Sequence, residues 1–315
     1  MIDFAQIVEA QKRIGHLIRK TPVLTCAHIN RRLDAEFVFK CENFQKTGAF
    51  KARGATNAVQ SLSGSEAERG VVTHSSGNHA AALAWAAGLR GVSAYIVMPS
   101  NAPKVKVAAV EHYGGKITFC EPNQSAREAT CQRIQQETGA MLVHPYDDLR
   151  IIAGQGTAAF EFLEECPDLD IVMTPVGGGG LLAGTSIVAK SQQRPIQVWA
   201  GEPRNVNDAA ESLRTGIRQP SIGERSIADG LLTGLGELTF PVIREHVDEI
   251  RLAEEAMIRD AQRLIMERMK IVIEPSAAVP LASLLENSVG IAGRKIGIIL
   301  SGGNVDLSAL WQPTP

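Results

Sequence analysis

The sequence is poor in cysteine. It has five cysteines in 315 residues, an odd number without any C-x-x-C spacing. This composition argues against a disulfide framework and a zinc ribbon, and it favours a reduced, cytoplasmic setting. The five are Cys26, Cys41, Cys120, Cys131 and Cys166.

Net charge and long apolar runs are also lacking. A formal net charge of −2 provides no basic surface, so neither nucleic acid nor an anionic membrane is expected as a partner. Residues 1–20 carry charges throughout, and their apolar residues lie on one helical stripe. This pattern excludes a signal peptide and a membrane span. We expect a helix there that Pro22 ends. The chain has 315 residues, of which 44% are hydrophobic, and this is enough for a large core and two lobes.

Short apolar runs alternate with segments of helical periodicity. Several runs are almost continuously apolar, as parallel strands covered on both faces require. We therefore predict an α/β fold with right-handed crossovers. The predicted strands are 36–40, 70–74, 93–99, 116–120, 140–145, 170–175, 196–201 and 295–301, and the predicted helices are 103–113, 124–138, 152–165, 181–192 and 254–269. The glycine-rich, irregular residues 216–238 indicate a functional loop or a junction between lobes.

Lys51 is the first candidate for chemistry. It lies in the run CENFQKTGAFKARGATN, between Phe50 and Ala52 and before a helix-forming segment. A lysine among apolar neighbours can be a desolvated amine that condenses with an aldehyde. A solvated lysine at the start of a helix is the alternative.

A polar turn, HSSGNH, occupies residues 74–79 between a predicted strand and a helix. Backbone N–H groups at a helix N-terminus suit a carboxylate or a phosphate. The alternative is that one of the two serines caps the helix while the asparagine forms a turn. The two histidines lack the H-E-x-x-H spacing, so a metal pair is not expected.

Four consecutive glycines, Gly177 to Gly180, connect another predicted strand to a helix. Such a turn lets the backbone approach a ligand and direct N–H groups at an anion, most often a phosphate. No G-K-[ST] follows, which excludes a P-loop. However, Gly178, Gly180 and Ala183 satisfy the looser G-x-G-x-x-A dinucleotide pattern, with Glu202 near the position of a ribose-binding acid. A nucleotide-dependent oxidoreductase is therefore an alternative.

A third turn, Ser301 to Asn304, follows the last predicted strand, where open α/β folds bind ligands; a tight C-terminal turn is the alternative. Taken in order, Lys51 and the three turns resemble the serine/threonine dehydratase and serine racemase family of fold-type-II pyridoxal-phosphate (PLP) enzymes. The resemblance spans nearly the whole chain. Its further motifs are TPVLT (21–25), CENFQKTG (41–48), GQG (154–156), IADG (227–230), ERMK (267–270), EPSAA (274–278) and SGGNVD (301–306).

This resemblance implies a fold and a division of the chain. The fold would be tryptophan synthase β-like, with two open, twisted, mostly parallel sheet lobes flanked by helices. A small domain of residues 70–147 would be inserted in a large domain of residues 1–69 and 148–315, with the cofactor between them. Because relatives are usually homodimers, a homodimer is expected.

The resemblance also implies roles at the cofactor. Lys51 would hold pyridoxal 5'-phosphate covalently and then take the α-proton of the substrate. A hydroxyl group facing the pyridine nitrogen does not force that nitrogen to carry a proton, which favours β-elimination over transamination. The other implied cofactor residues are Phe50 against the ring, Asn78 at the 3-oxygen, Gly177, Gly178, Gly179, Gly180 and the N–H of Leu181 at the phosphate, and Ser301 at the pyridine nitrogen.

The resemblance also implies which residues bind the substrate. Ser76 would be a second acid/base, facing Lys51 across the substrate. Arg127 would reach the substrate side chain or a second carboxylate, unless it is a solvated helix arginine. The substrate carboxylate would be held by Ser75, Ser76, Gly77 and His79.

The resemblance also implies a metal site, and the sequence departs from the family pattern in two places. Glu202, the carbonyl of Val206 and Asp208 would hold Mg²⁺ or a similar cation, unless the acids are a surface pair at a helix start. Ala80 and Ala81 stand where relatives usually have a glutamine, which argues against ATP regulation. Tyr146 stands where animal serine racemases have asparagine and microbial dehydratases an aromatic residue, which favours elimination.

The expected reaction is the dehydration of L-serine or L-threonine to a 2-oxo acid and ammonia. Racemisation of serine through Ser76 is the first alternative, and dehydration of threo-3-hydroxyaspartate through Arg127 is the second. A β-replacement synthase of similar fold and a non-catalytic binding protein are the more distant alternatives.

Overall fold

The computed structural model of the protein describes residues 2–75, 77–223 and 225–307. Strands and helices alternate along these ranges, as the apolar pattern predicts. The strands are β1 (Val23–Thr25), β2 (Glu36–Cys41), β3 (Val71–His74), β4 (Ala94–Pro99), β5 (Lys116–Cys120), β6 (Met141–Leu142), β7 (Ile171–Pro175), β8 (Gln197–Pro203), β9 (Glu249–Ala253) and β10 (Lys295–Leu300). The helices are α1 (Phe4–Ile14), α2 (Ala27–Leu33), α3 (Lys51–Gln60), α4 (Gly64–Arg69), α5 (Asn78–Arg90), α6 (Lys104–His112), α7 (Gln124–Thr138), α8 (Leu149–Glu165), α9 (Gly180–Lys190), α10 (Asp208–Thr215), α11 (Thr239–His246), α12 (Glu255–Met269) and α13 (Pro275–Glu286).

The strands form two sheets. The larger has the order β1-β2-β10-β7-β8-β9, and each neighbouring pair is parallel except β1 with β2. The smaller has the order β5-β4-β3-β6 and is parallel throughout. The prediction of two mostly parallel sheets flanked by helices is confirmed.

The larger sheet has an apolar core on each face. Successive residues of β10 alternate between them: Ile298 packs in the core formed with α12 and α13, and Ile299 packs in the core formed with α8 and α9. A strand covered on both faces must be apolar at every position. This explains the continuous apolar run of β10.

The smaller sheet is built from one continuous part of the chain. Its strands begin at Val71 and end at Leu142, and its own apolar core includes Val71, Ile96 and Met98. On this basis we propose that residues 70–147 form a small domain within a large domain of residues 1–69 and 148–315.

Three details of the predicted elements need correction. Helix α1 ends at Ile14, well before Pro22, because Gly15 follows and glycine is a poor helix former. The predicted strand 140–145 is reduced to the two residues of β6. Strands β1 and β9 were not predicted, since β1 has three residues and β9 contains two charged ones.

Candidate active site

The carboxyl ends of β3, β7 and β10 open into one cleft of about 510 Å³. The turn after each of these strands contributes to its wall, as expected for ligand sites in open α/β folds. A volume of this size suits a cofactor and a small substrate. The wall includes Phe50, Lys51, Ser75, Gly77, Asn78, His79, Arg127, Gly177, Gly178, Gly179, Gly180, Leu181 and Ser301. Ser76, the candidate second acid/base, lies outside the described residues.

Lys51 is the first residue of α3, and its amine reaches the cleft. Its Nζ donates a hydrogen bond of 2.7 Å to the carbonyl oxygen of Pro145 and lies 5.1 Å from the centre of the Phe50 ring. Burial lowers the pKa of Lys51 to about 8, against the opposing charge of Glu274. Part of the amine is therefore neutral, and nucleophilic, near neutral pH. A solvated surface lysine does not fit these contacts.

The glycine turn is too tightly packed for side chains. A methyl group on Gly178 would lie 2.2 Å from Cγ of Tyr146, and one on Gly177 would lie 2.9 Å from Cα of Leu231. Gly179, the N-cap of α9, has a φ of +88°, which favours glycine. Within the described part of the chain, no side chain caps α9. Its first N–H groups are thus placed to bind an anion such as a phosphate.

The turn after β3 leads into α5, whose N-cap is Gly77. The Gly77 N–H donates to Oγ of Ser75 (3.3 Å), and α5 receives no side-chain cap from any described residue. The alternative in which Ser75 caps this helix is therefore wrong. Gly77, Asn78 and His79, at the start of α5, line the cleft, and the backbone N–H groups of a helix N-terminus suit a carboxylate.

His79 is buried in the first turn of α5. Its Nε2 lies 3.1 Å from the carbonyl oxygen of Val143. Since a carbonyl oxygen only accepts, this nitrogen carries the proton. Burial holds the pKa of His79 well below its usual value, so the ring is neutral. It is a neutral hydrogen-bonding side chain that joins α5 to the segment after β6.

Glu274 is a cleft residue that the sequence argument missed, although the motif EPSAA begins with it. Nδ2 of Asn78 donates to both of its carboxylate oxygens, at 2.9 and 3.0 Å. Asn304 in turn donates to Oδ1 of Asn78 at 2.9 Å. Burial raises the pKa of Glu274 to about 7. These contacts hold the Asn78 amide in one orientation, with Nδ2 toward Glu274.

Aromatic rings form another wall. The rings of His144 and Tyr146 meet edge to face with centroids 4.6 Å apart, and His74 packs against His144 at 5.8 Å. Nδ1 of His144 accepts a hydrogen bond of 2.9 Å from the backbone N–H of Asp147, so the ring proton is on Nε2. Burial lowers the pKa of His144 to about 4. This wall therefore presents neutral rings to a substrate.

Arg127 reaches the cleft from α7. Its Nε is buried and has no hydrogen-bond partner among the described residues. A buried donor without an acceptor costs free energy, so the position suits an anionic group brought by a ligand. A fully solvated helix arginine does not fit this burial.

Glu202, near the end of β8, and Asp208, the first residue of α10, are not part of the cleft wall. Both are 2% exposed, so they are not a surface pair. Glu202 accepts hydrogen bonds of 2.8 Å from the backbone N–H groups of Ala209 and Ala210, whereas Oδ2 of Asp208 is buried without a partner in the described part of the chain. Burial raises the pKa of Glu202 to about 8 and that of Asp208 to about 6.

Two buried carboxylates that form no ion pair with a described residue have the chemistry of a divalent-cation site, and the predicted third residue, Val206, is buried as well. Residues 2–75, 77–223 and 225–307 contain no group of three or more His, Cys, Asp and Glu side chains that could hold a metal. A site of two carboxylates and one carbonyl is a different donor set. Since Glu202 is not part of the cleft wall, the nucleotide-dependent oxidoreductase lacks its ribose-binding acid.

The fold brings a partly neutral lysine amine and an uncapped glycine turn to the wall of one cleft in an α/β protein. A family model described as "Pyridoxal-phosphate dependent enzyme" matches residues 14–302. The chain belongs to this family of PLP-dependent enzymes, and both the resemblance drawn from the sequence and the prediction of an enzyme are confirmed. Lys51 and the uncapped glycine turn suit the aldehyde and the phosphate of this cofactor.

Individual relatives support the same assignment to the PLP-dependent enzymes. A β-hydroxyaspartate dehydratase of Paracoccus denitrificans is 47% identical over 98% of each chain. The crystal structure of serine racemase from Dictyostelium discoideum is 49% identical, with a TM-score of 0.93 over 97% of this chain and 99% of that one. The crystal structure of a T.th. threonine deaminase is 38% identical, with a TM-score of 0.91 over 99% of this chain and 100% of that one. These relatives support PLP-dependent racemase or dehydratase activity on a small amino acid.

No helix among the described residues is both long and apolar enough to cross a membrane.

Proposed function

We propose that the protein is a PLP-dependent ammonia-lyase that dehydrates L-serine or L-threonine to a 2-oxo acid and ammonia. The observation that carries the proposal is the position of Lys51. Its amine, with a pKa lowered to about 8, lines the same cleft as the uncapped glycine turn. When bound, PLP would supply an acceptor for electron density from the substrate Cα.

The residues around the cleft have distinct proposed tasks. Lys51 binds the cofactor aldehyde and takes the substrate α-proton, which its near-neutral pKa permits. The turn Gly177–Gly180 and the N–H of Leu181 hold the phosphate at the start of α9. Phe50 packs against the ring, Asn78 binds its 3-oxygen and Ser301 faces its nitrogen. Nδ2 of Asn78 donates to Glu274 in this structure, so one of its N–H groups would turn from Glu274 to the 3-oxygen when the cofactor binds.

The substrate lies, in this proposal, between Lys51 and the turn of Ser75, Gly77 and His79. The backbone N–H groups of that turn bind the α-carboxylate at the start of α5. The neutral aromatic wall excludes water from the reacting carbon without adding a competing charge. Once the substrate amine has displaced Lys51 from the cofactor aldehyde, the free Lys51 amine would take the α-proton and return it to the departing β-hydroxyl, which leaves as water. The unsaturated amine then takes up one water to give the 2-oxo acid and ammonia.

Two other reactions at this site are supported by specific observations. Racemisation of serine is favoured by the similarity to serine racemases, with Ser76 proposed to return the proton on the face opposite Lys51. Dehydration of 3-hydroxyaspartate is favoured by Arg127, whose buried Nε has no acceptor in the described residues, and by the similarity to a β-hydroxyaspartate dehydratase.

Three further proposals accompany this function. A divalent cation, Mg²⁺ or similar, is bound by Glu202, the carbonyl of Val206 and Asp208, as the two buried carboxylates favour. The protein is a homodimer, as is usual in the family, and is cytoplasmic, as the cysteine composition favours.

One set of assays tests the proposed function. The purified protein is incubated with L-serine, L-threonine and threo-3-hydroxyaspartate, with and without Mg²⁺, and ammonia and the D-enantiomer are measured together. The main proposal is supported if L-serine or L-threonine yields more ammonia than D-enantiomer. D-serine without ammonia would reject it in favour of racemisation. Where both products form, Ser76→Ala should suppress D-serine more than breakdown of L-serine.

A further inference from the structure

Helix α8 lies between the two helices that begin at the cofactor site, α3 and α9. It touches both through glycines of the GQG motif, which no role described above uses. Gly154 faces α3 and Gly156 faces α9. Residues two positions apart in an α-helix are separated by about 200° around the axis, so the two glycines lie on nearly opposite sides of α8.

The contact with α3 is made by the backbones. A methyl group on Gly154 would lie 2.6 Å from Cα of Gly54 and 2.8 Å from the carbonyl oxygen of Arg53. Gly54 lies one helical turn after Lys51. The buried guanidinium of Arg53 adds two hydrogen bonds to Glu161 of α8, at 2.7 and 2.9 Å. The helix that carries the amine therefore cannot rotate or move away from α8 independently.

The contact with α9 has the same form. A methyl group on Gly184 would lie 2.6 Å from the backbone nitrogen of Gly156 and 2.7 Å from the carbonyl oxygen of Ile152. Gly184 lies one helical turn after Gly180, the last residue of the glycine turn. Backbone atoms cannot be displaced by a rotamer change, so an added methyl must move one helix relative to the other.

We propose that Gly154 and Gly184 are positioning residues: through α8 they set the separation between the Lys51 amine and the glycine turn. The proposal rests on the roles assigned above to Lys51 and to the turn. The aldehyde and phosphate of PLP are held at a fixed separation by its rigid ring. Two anchors on different helices can engage both groups only when the helices are held at the matching distance.

The test compares Gly154→Ala with Gly184→Ala, using two probes that differ only in the phosphate. Each apoprotein is titrated with PLP and with pyridoxal, and the visible absorbance of the bound aldehyde is followed. Borohydride then reduces the carbon–nitrogen double bond, and mass spectrometry measures the fraction of Lys51 modified. The matched control is Gly88→Ala in α5, where a methyl would meet no described atom closer than 3.8 Å.

Gly184→Ala is expected to weaken PLP binding at least tenfold while changing pyridoxal binding less than twofold, because only the phosphate anchor moves. Gly154→Ala should likewise weaken PLP binding at least tenfold and change pyridoxal binding less than twofold, because pyridoxal has no phosphate to be held at a matching distance, and it should lower the fraction of Lys51 that PLP modifies. Gly88→Ala should match the wild type. An unchanged ratio of PLP to pyridoxal affinity in Gly184→Ala, or wild-type binding in both variants, would overturn the inference.

The wild type separates this inference from the proposed function. If borohydride does not attach PLP to wild-type Lys51, the proposed role of Lys51 is wrong. If it does, and both variants bind PLP and pyridoxal as the wild type does, only the positioning inference is wrong. Should either variant fail to fold, milder changes replace it with the same readouts. Thr157→Val replaces Gly154→Ala and removes a 3.2 Å hydrogen bond from Arg53 and a 2.6 Å one to the carbonyl oxygen of Gly154. Gly156→Ala replaces Gly184→Ala and would place a methyl 3.2 Å from the carbonyl oxygen of Gly184 and against the Ile7 side chain.

Discussion

The amine of Lys51 donates a hydrogen bond of 2.7 Å to the carbonyl oxygen of Pro145, which lies 94 residues later in the chain. The bond aims the amine into the cleft from the first turn of α3. Because a carbonyl oxygen can accept from either the neutral or the charged amine, it leaves the lysine free to lose a proton.

The rate of covalent PLP attachment should depend on pH through Lys51. Burial lowers the pKa of this lysine to about 8, so the nucleophilic, neutral fraction grows as pH rises through that value. We expect the attachment rate of the apoprotein, measured by stopped-flow absorbance, to have a midpoint near pH 8. Lys51→Arg should show no attachment and no activity. A midpoint near the ordinary lysine value of roughly 10.4 would contradict a desolvated amine.

Stability of the metal-free protein should fall as pH rises. The pKa of Glu202 is raised to about 8 and that of Asp208 to about 6 in the folded state. Raised carboxyl pKa values stabilise the fold at low pH, and this stability is lost as pH increases through 6 to 8. Thermal unfolding in EDTA should therefore show a lower Tm at pH 8 than at pH 5.

Mg²⁺ should restore that loss at pH 8, because its charge compensates the two ionised carboxylates. Glu202→Gln is the matched variant: it should flatten the decline in Tm and abolish the response to Mg²⁺. An equal Mg²⁺ response in wild type and Glu202→Gln would place the cation elsewhere.

Arg127 should decide between substrates with one and two carboxylates. Replacing it with glutamine removes a charge-assisted hydrogen bond worth about 1.5–3 kcal/mol, or roughly 10- to 100-fold. We expect Arg127→Gln to lower kcat/KM for threo-3-hydroxyaspartate by that factor and to change the value for L-serine by less than about threefold. Steady-state assays of ammonia release measure both. Equal losses for the two substrates would indicate a role in the fold or in α-carboxylate binding.

Arg53 should be essential for stability. It is fully buried and forms ion pairs of 2.7 Å with both Glu42 and Glu161, while Lys40 bonds to Glu161 at 2.8 Å. Arg53→Met would leave the two buried carboxylates of Glu42 and Glu161 with the single charge of Lys40, which bonds to Glu161, at a cost of about 3–5 kcal/mol. Denaturant unfolding of the apoprotein measures this. Thr157→Val, which removes no charge but one hydrogen bond to the same guanidinium and one to the carbonyl oxygen of Gly154, should cost about 1–2 kcal/mol. Similar costs for the two variants would argue against uncompensated charge as the cause.

Much of the fold could be predicted because its signals are local. A buried parallel strand such as β7 must be apolar at each position, and the glycine turn follows it directly. Local signals were weaker for β9, where two charged residues obscure the strand. They were misleading at Pro22, since Gly15 had already ended the helix.

The unpredicted part of the site consists of residues that act through distant partners. Glu274 and Asn78 are separated by 196 residues, and Arg53 and Glu161 by 108. The sequence shows that each is polar, but polarity alone does not indicate whether a side chain is solvated or paired in the core. The same holds for Glu202, whose burial excludes a surface pair.

The order of motifs along the chain was enough to determine the family and the two-sheet architecture, and to predict that Lys51 and the glycine turn line one cleft. The folded chain alone decided which side chains lose water. The lowered pKa of Lys51, the orientation of Asn78 and the close approach of α8 to α3 and α9 all arise from contacts between segments far apart in sequence. Desolvation and hydrogen bonding depend on atoms within a few ångströms, and only the fold brings those atoms together.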